Sequence, residues 1–97
     1  MGLLGRFMNP SAVSPEARFA KARVYFDQAN ALLDEGHNRE AIDAYQKALA
    51  LKPDAASAHF NMGNAYLELR ELDVACTAYQ KALNIKPDLV DAWLAAD

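Results

Sequence analysis

The segment Tyr79–Asp88 reads YQKALNIKPD, and the segment Tyr45–Asp54 reads YQKALALKPD. The two copies stand 34 residues apart, counted from Pro53 to Pro87, which is the interval of a repeat built from two helices and a turn. The same shift lays Phe26 on Phe60, Asn30 on Asn64, Ala31 on Ala65, Leu33 on Leu67, Ala41 on Ala75 and Ala44 on Ala78. The chain therefore contains a duplicated unit, and equivalent residues are expected to take equivalent places.

Bulk properties narrow the possibilities before any site is considered. Ninety-seven residues allow one small domain, whose core is marginal unless the fold is unusually regular, as a repeat array is. Hydrophobic residues make up 53% and charged residues 24% of the chain, a composition that folds and stays in water. The net charge of −3 argues against a general binder of phosphate backbones, so nucleic acid is not an expected partner. A single cysteine, Cys76, excludes an intrachain disulfide framework and fits a reducing compartment, with the cytoplasm as the expected location. No run has the length of a membrane span, and the opening MGLLGRFMNP lacks the features of a secretory signal. It begins Met1-Gly2, but Arg6 stands where a myristoylation site needs Ser or Thr.

Read in order, residues 1–13 mix Gly and Pro with Leu3, Leu4, Phe7 and Met8, and are expected to form a flexible arm with exposed apolar side chains. Ser14-Pro15-Glu16 is a helix start: a capping hydroxyl, a proline that tolerates the first position, and a carboxylate at the positive end of the dipole. Nothing breaks the helix before Asp34, and it exceeds its counterpart in the second unit by roughly two turns. Gly36 ends it, and Asn38 is expected to cap a second helix from about Arg39 to Leu51. After Lys52-Pro53, Asp54 is expected to cap a third helix running from about Ala55 to Leu69, and a fourth covers Leu72 to Ile85. Arg70 stands where Gly36 stands in the first unit, so it is expected to adopt the left-handed conformation at a cost of about 1 kcal/mol. Ala29, Gly63, Ala41, Ala44, Ala75 and Ala78 let the helices approach closely. Tyr45, Leu49, Leu51, Tyr79, Leu83 and Ile85 are expected to fill the space between successive units.

These residues resemble the tetratricopeptide repeat, whose signature runs W-x2-L-G-x2-Y, then A-x3-F, then P. The second unit offers His59, Met62, Gly63, Tyr66, Ala75, Tyr79, Ala82 and Pro87 at those places, and the first offers Tyr25, Gln28, Ala29, Leu32, Ala41, Tyr45, Ala48 and Pro53. A third unit begins at Val90, with Trp93 in the tryptophan position. Departures are His59 and Tyr25 for tryptophan and Gln28 for leucine. The resemblance implies an all-α fold of antiparallel helix-turn-helix repeats, stacked as a short right-handed α-solenoid. It places the repeat domain at residues 14–97, with repeats at about 22–55 and 56–89 and a partial third at 90–97.

In that family the first helix of each unit lines a concave wall, where partner peptides are held. Phe19, Arg23, Phe26, Asn30 and Leu33 recur three or four apart and share one stripe of the first helix. The matching stripe of the second unit is Ser57, Phe60, Asn64 and Leu67, flanked by Asn61 and Glu68, and the third unit adds Asp91 and Leu94. The candidate peptide-binding residues are thus Arg23, Phe26, Asn30, Leu33, Phe60, Asn61, Asn64, Leu67 and Leu94, with the asparagines as an amide ladder for a peptide backbone. The plainer alternative is that these residues are family consensus with no ligand role. A chaperone-tail clamp is disfavoured, because Phe26, Asp91 and Ala95 occupy the places where such proteins carry cations.

No catalytic, cofactor or metal site is expected. His37 and His59 have no Cys or carboxylate at a metal-ligand interval, and His37 reads as a solvated turn residue while His59 fills a packing place. Cys76, opposite Ile42 in the repeat, reads as a small core residue. Asp34 with Glu35, and Glu71 with Asp73, read as solvated helix ends. Arg6, Arg18, Lys21 and Arg23 make the beginning basic, and Glu68, Glu71, Asp73, Asp88, Asp91 and Asp97 make the later part acidic. Opposite ends of opposite sign would favour association between copies. The leading expectation is a non-enzymatic interaction module that docks a protein or peptide segment. The alternatives are a self-assembling element whose groove is filled by its own arm, and the recruiting domain of a longer protein.

Overall fold

The computed structural model describes residues 14–88, which form four helices and, among these residues, no strand. They are α1 (Pro15–Asp34), α2 (Asn38–Leu51), α3 (Ala56–Glu68) and α4 (Leu72–Ile85). The expected arm and the start of the third unit, with Trp93 and Leu94, lie outside the described residues. As the spacing required, α1 pairs with α2 and α3 with α4 as two hairpins, and α2 packs against α3 to join them.

The hairpins close through helix ends of one design. At the end of α1 the amide of Gly36 reaches the Leu33 carbonyl at 3.0 Å and that of His37 reaches Leu32 at 2.8 Å. At the end of α3 Arg70 reaches Leu67 and Glu71 reaches Tyr66, both at 2.9 Å. This double bond across the terminus requires one left-handed residue. Gly36 supplies it at φ 83°, and Arg70 supplies it at φ 64° as expected. The arrangement also corrects one expected cap. His37 and Glu71 finish one helix and are already the N-caps of the next, with no side-chain capping bond, so Asn38 is the first residue inside α2.

Asp54 is likewise not a cap. The amide of Ala55 bonds to the Lys52 carbonyl at 3.2 Å, which keeps the Pro53-Asp54 turn going one residue further and makes Ala55 the N-cap of α3. Ser14 does cap α1, accepting from the Ala17 amide at 3.2 Å. His59, in the tryptophan place of the second unit, is buried, and its Nε2 lies 3.0 Å from the Pro53 carbonyl oxygen, tying α3 to the turn before it.

Small residues make the contacts close. Ala29, Ala41, Ala58 and Ala65 have no exposed surface, and Tyr45 is the one large side chain buried to the same degree among the described residues. Such burial of a large side chain contributes about 1.5 to 3 kcal/mol. Tyr45 and Tyr79 do not simply fill the space between units: each packs edge-on against the phenylalanine of its own hairpin, Tyr45 on Phe26 with ring centroids 5.9 Å apart and Tyr79 on Phe60 at 5.2 Å. Ile85, expected between units, is 40% exposed. Cys76 is exposed rather than core, although its equivalent Ile42 is buried under α3. Arg39 bridges the units on the outside, its guanidinium 2.7 Å from the Glu71 carboxylate, which holds Arg39 more firmly in its charged form.

Candidate functional site

The two front helices, α1 and α3, touch directly, and the touch is made by candidate residues. Asn61 on α3 donates its amide to Asn30 Oδ1 on α1 at 3.1 Å. The Tyr45 hydroxyl donates to that same oxygen from α2 behind it. In the second unit the Tyr79 hydroxyl donates to Asn64 Oδ1 in the same manner. The amide ladder is therefore half engaged by the protein itself. Among the described residues, the amide nitrogens of Asn30 and Asn64 and the carbonyl oxygen of Asn61 have no protein partner, and these are the polar groups the wall can offer a backbone.

Burial of these tyrosines shows in their acidity. The Tyr45 phenol is pushed up to about 12, chiefly by burial, with the Asn61 amide acting in the opposite direction and the Asp34 charge adding a little. Tyr79 is raised as well, again chiefly by burial, with Cys76 and Glu68 contributing. Both phenols stay protonated at neutral pH and act as fixed donors behind the wall.

The remaining candidates divide into floor and rim. Phe26 and Phe60 are half-buried between their tyrosine and the open side, Leu33 is half-buried against the core, and Leu67 is 45% exposed. Arg23 is on the surface beside Asp27, at 3.5 Å. Leu94 lies outside the described residues.

One feature was not read from the stripes. At the end of the wall nearest the start of α1 a cleft of about 520 Å³ opens between the hairpins. Phe19, Arg23 and Phe26 of α1 line it, joined by Lys52 after α2, Ser57 of α3, and Ile85 with Lys86 at the end of α4. Lys52 holds its ammonium over the Phe19 ring, 5.4 Å from the centroid. The signal was present in the repeat, where Lys52 and Lys86 are equivalent residues before the two prolines, but their convergence on one cleft depends on how the hairpins stack and is visible only in three dimensions.

Comparison with known families agrees with this architecture. The family model described as TPR repeat matches residues 29–70, and the one described as Tetratricopeptide repeat matches residues 56–89. Together they span most of the described fold, and the chain belongs to the tetratricopeptide-repeat family, whose repeats are in general protein-interaction modules. Among solved structures the chain is similar to the crystal structure of MamA, with 35% sequence identity and a TM-score of 0.71. That match covers 74% of this chain and 42% of MamA, so the chain spans less than half the length of that relative. A comparison with curated proteins gave no match.

No described helix is long and apolar enough to cross a membrane.

Proposed function

We propose that the chain is a non-enzymatic docking module that holds a protein or peptide segment along the wall shared by α1 and α3. The observation that carries this reading is the direct bond between Asn61 and Asn30, which joins the two front helices into one surface. Along that surface half-buried phenylalanines alternate with amide groups whose second hydrogen-bonding atoms remain open. Apolar floor and backbone-directed amides suit a segment in extended or helical form, without demanding one sequence. The exposed thiol of Cys76 fits a reducing location, and the cytoplasm is the compartment we propose.

The test is capture of peptides from a library by the intact chain and by surface variants. Ser57→Arg and Leu67→Arg obstruct the wall, whereas Gln46→Arg and Gln80→Arg change exposed positions on the rear helices. Peptides lost from the wall variants and kept by the rear variants support the reading. Peptides kept by all four variants, or captured by none including the parent, count against it.

Self-assembly is the second reading, and the two ends of the stack favour it. Val24 is 54% exposed although its equivalent Ala58 is fully buried, and Cys76 is exposed although Ile42 is buried. Among the described residues, the positions that join the two hairpins thus recur with exposed side chains on the outer faces of the stack. Sedimentation equilibrium distinguishes the readings: a monomer at high micromolar concentration removes self-assembly, and loss of association on deleting residues 1–13 assigns it to the arm.

A further inference from the structure

The cleft at the Lys52 and Lys86 end differs in charge from the protein around it. Arg23, Lys52 and Lys86 line it against one carboxylate, Asp54, in a chain whose net charge is −3. Between the cations lie Phe19, Phe26 and Ile85, of which Phe19 is 48% and Ile85 40% exposed. A surface that combines exposed aromatic and aliphatic groups with concentrated positive charge complements a ligand with the opposite arrangement.

We propose that this cleft takes an acidic peptide segment, one bulky apolar side chain flanked by carboxylates, and that it sets the preference of the wall for such partners. The proposal rests on the docking reading above and adds the chemistry of the partner. The apolar side chain covers Phe19, Phe26 and Ile85. Arg23 and Lys86 pair with the flanking carboxylates, the guanidinium in its two-pronged geometry and the ammonium as a point charge. Lys52 is already stationed by the Phe19 ring, so little freedom is lost when it meets an anion. The Arg23 pair with Asp27 is an exposed one-turn contact with both side chains more than half exposed, and an incoming carboxylate displaces it at small cost.

These cations are not at the positions that bind chaperone tails, where this chain has Phe26. They come instead from the first helix and from the two helix ends that precede the prolines. The charge also speaks against the chain's own arm as occupant, since residues 1–13 contain Arg6 and no acidic residue.

The experiment is fluorescence anisotropy with three labelled peptides: an acidic one carrying Glu and Asp around a Leu-Phe pair, the same peptide with Gln and Asn for every acid, and the segment of residues 1–13. The intact chain is compared with Arg23→Gln and Lys86→Gln, both exposed positions whose folding is checked by circular dichroism. The acidic peptide is expected to bind about tenfold more tightly than its amide counterpart, and to lose most of that advantage in either variant and between roughly 50 and 300 mM salt. Equal binding of acidic and amide peptides overturns the acidic preference and leaves the docking wall standing. Tighter binding of the 1–13 segment overturns it in favour of self-occupancy. Binding of none of the three overturns it too, and the library capture then decides separately whether the wall binds anything.

Discussion

Asn30 and Tyr45 hold one another across the first hairpin, the phenol donating to the amide oxygen from behind the wall, and Asn64 and Tyr79 repeat the bond one unit later. Each pair is 15 residues apart in sequence and joins a front helix to the rear helix of its own hairpin. The asparagines are therefore part of the scaffold before they can be part of a binding site. Replacing them is a poor probe of ligand binding, and obstruction at Ser57 or Leu67 is a cleaner one.

Truncating Asn30 should be costly for that reason. Asn30→Ala leaves the fully buried Tyr45 hydroxyl unpaired and is expected to cost about 1 to 3 kcal/mol, whereas Tyr45→Phe, which leaves Asn30 still bonded to Asn61, should cost about 1 kcal/mol. The double variant should lose less than the sum, because the phenol that needed a partner is gone. Urea denaturation of the four proteins measures the coupling. A stable Asn30→Ala protein would remove the scaffold role.

Alkaline pH should reach the same bond. The Tyr45 phenol is pushed from its ordinary 10 up to about 12 by burial, so between these values the unfolded chain has released a proton that the folded chain retains. The unfolded state then binds fewer protons, and stability falls as pH rises. The contribution is complete below pH 10, is lost progressively towards pH 12, and amounts to about 2 to 3 kcal/mol. Tyr79, raised in the same direction, adds to it. Urea midpoints from pH 8 to pH 12 should decline less steeply for Tyr45→Phe than for the parent. Parallel declines would exclude Tyr45 as a source.

Much of the fold was legible because a 34-residue period fixes which residues must be equivalent, and the helix limits followed within one residue. What misled the reading was the assumption that every helix needs its own capping side chain. With a left-handed residue at Gly36, the next residue but one is already helical, so His37 must serve both ends and Asn38 has no cap to make. Equivalence failed at Cys76 for another reason. Burial depends on the neighbouring hairpin, which covers Ile42 with α3, whereas the residues after Asp88 lie outside the described part. At the candidate site the stripes of the first two units lie on α1 and α3, but the rear tyrosines that engage Asn30 and Asn64 could be seen only in three dimensions.

The left-handed turns differ in strain. Gly36 adopts φ 83° freely, while Arg70 at φ 64° brings its side chain against the following carbonyl. Arg70→Gly is expected to stabilise the protein by about 0.5 to 1 kcal/mol, since Arg70 is exposed and only backbone relief is gained. Gly36→Ala should destabilise by about 1 kcal/mol, although open space surrounds the added methyl group. Thermal unfolding of both variants gives the signs. Loss of stability in Arg70→Gly would mean that the arginine side chain makes a contact that outweighs the strain.

Gly63 and Ala29 occupy equivalent places, yet the second hairpin has packed itself around the missing methyl. A Cβ built on Gly63 would lie 2.8 Å from the nearest carbon of the Tyr79 ring, closer than carbon atoms approach without movement. Alanine improves helix propensity by about 1 kcal/mol, but forcing apart a packed contact costs about 1 to 3 kcal/mol. The ring is held on one side by Phe60, at 5.2 Å between centroids, and at its hydroxyl by Asn64, so it cannot swing away without weakening both contacts. Gly63→Ala is therefore expected to destabilise by about 1 kcal/mol and to change the near-ultraviolet dichroism of the tyrosines. Ala29→Gly should cost about 1.5 to 2 kcal/mol, from propensity and from the loss of a fully buried methyl group, with that signal little changed. If Gly63→Ala instead gained the full propensity term, the ring would have room to retreat, and the Tyr79 to Asn64 bond could not be rigid enough to anchor the wall.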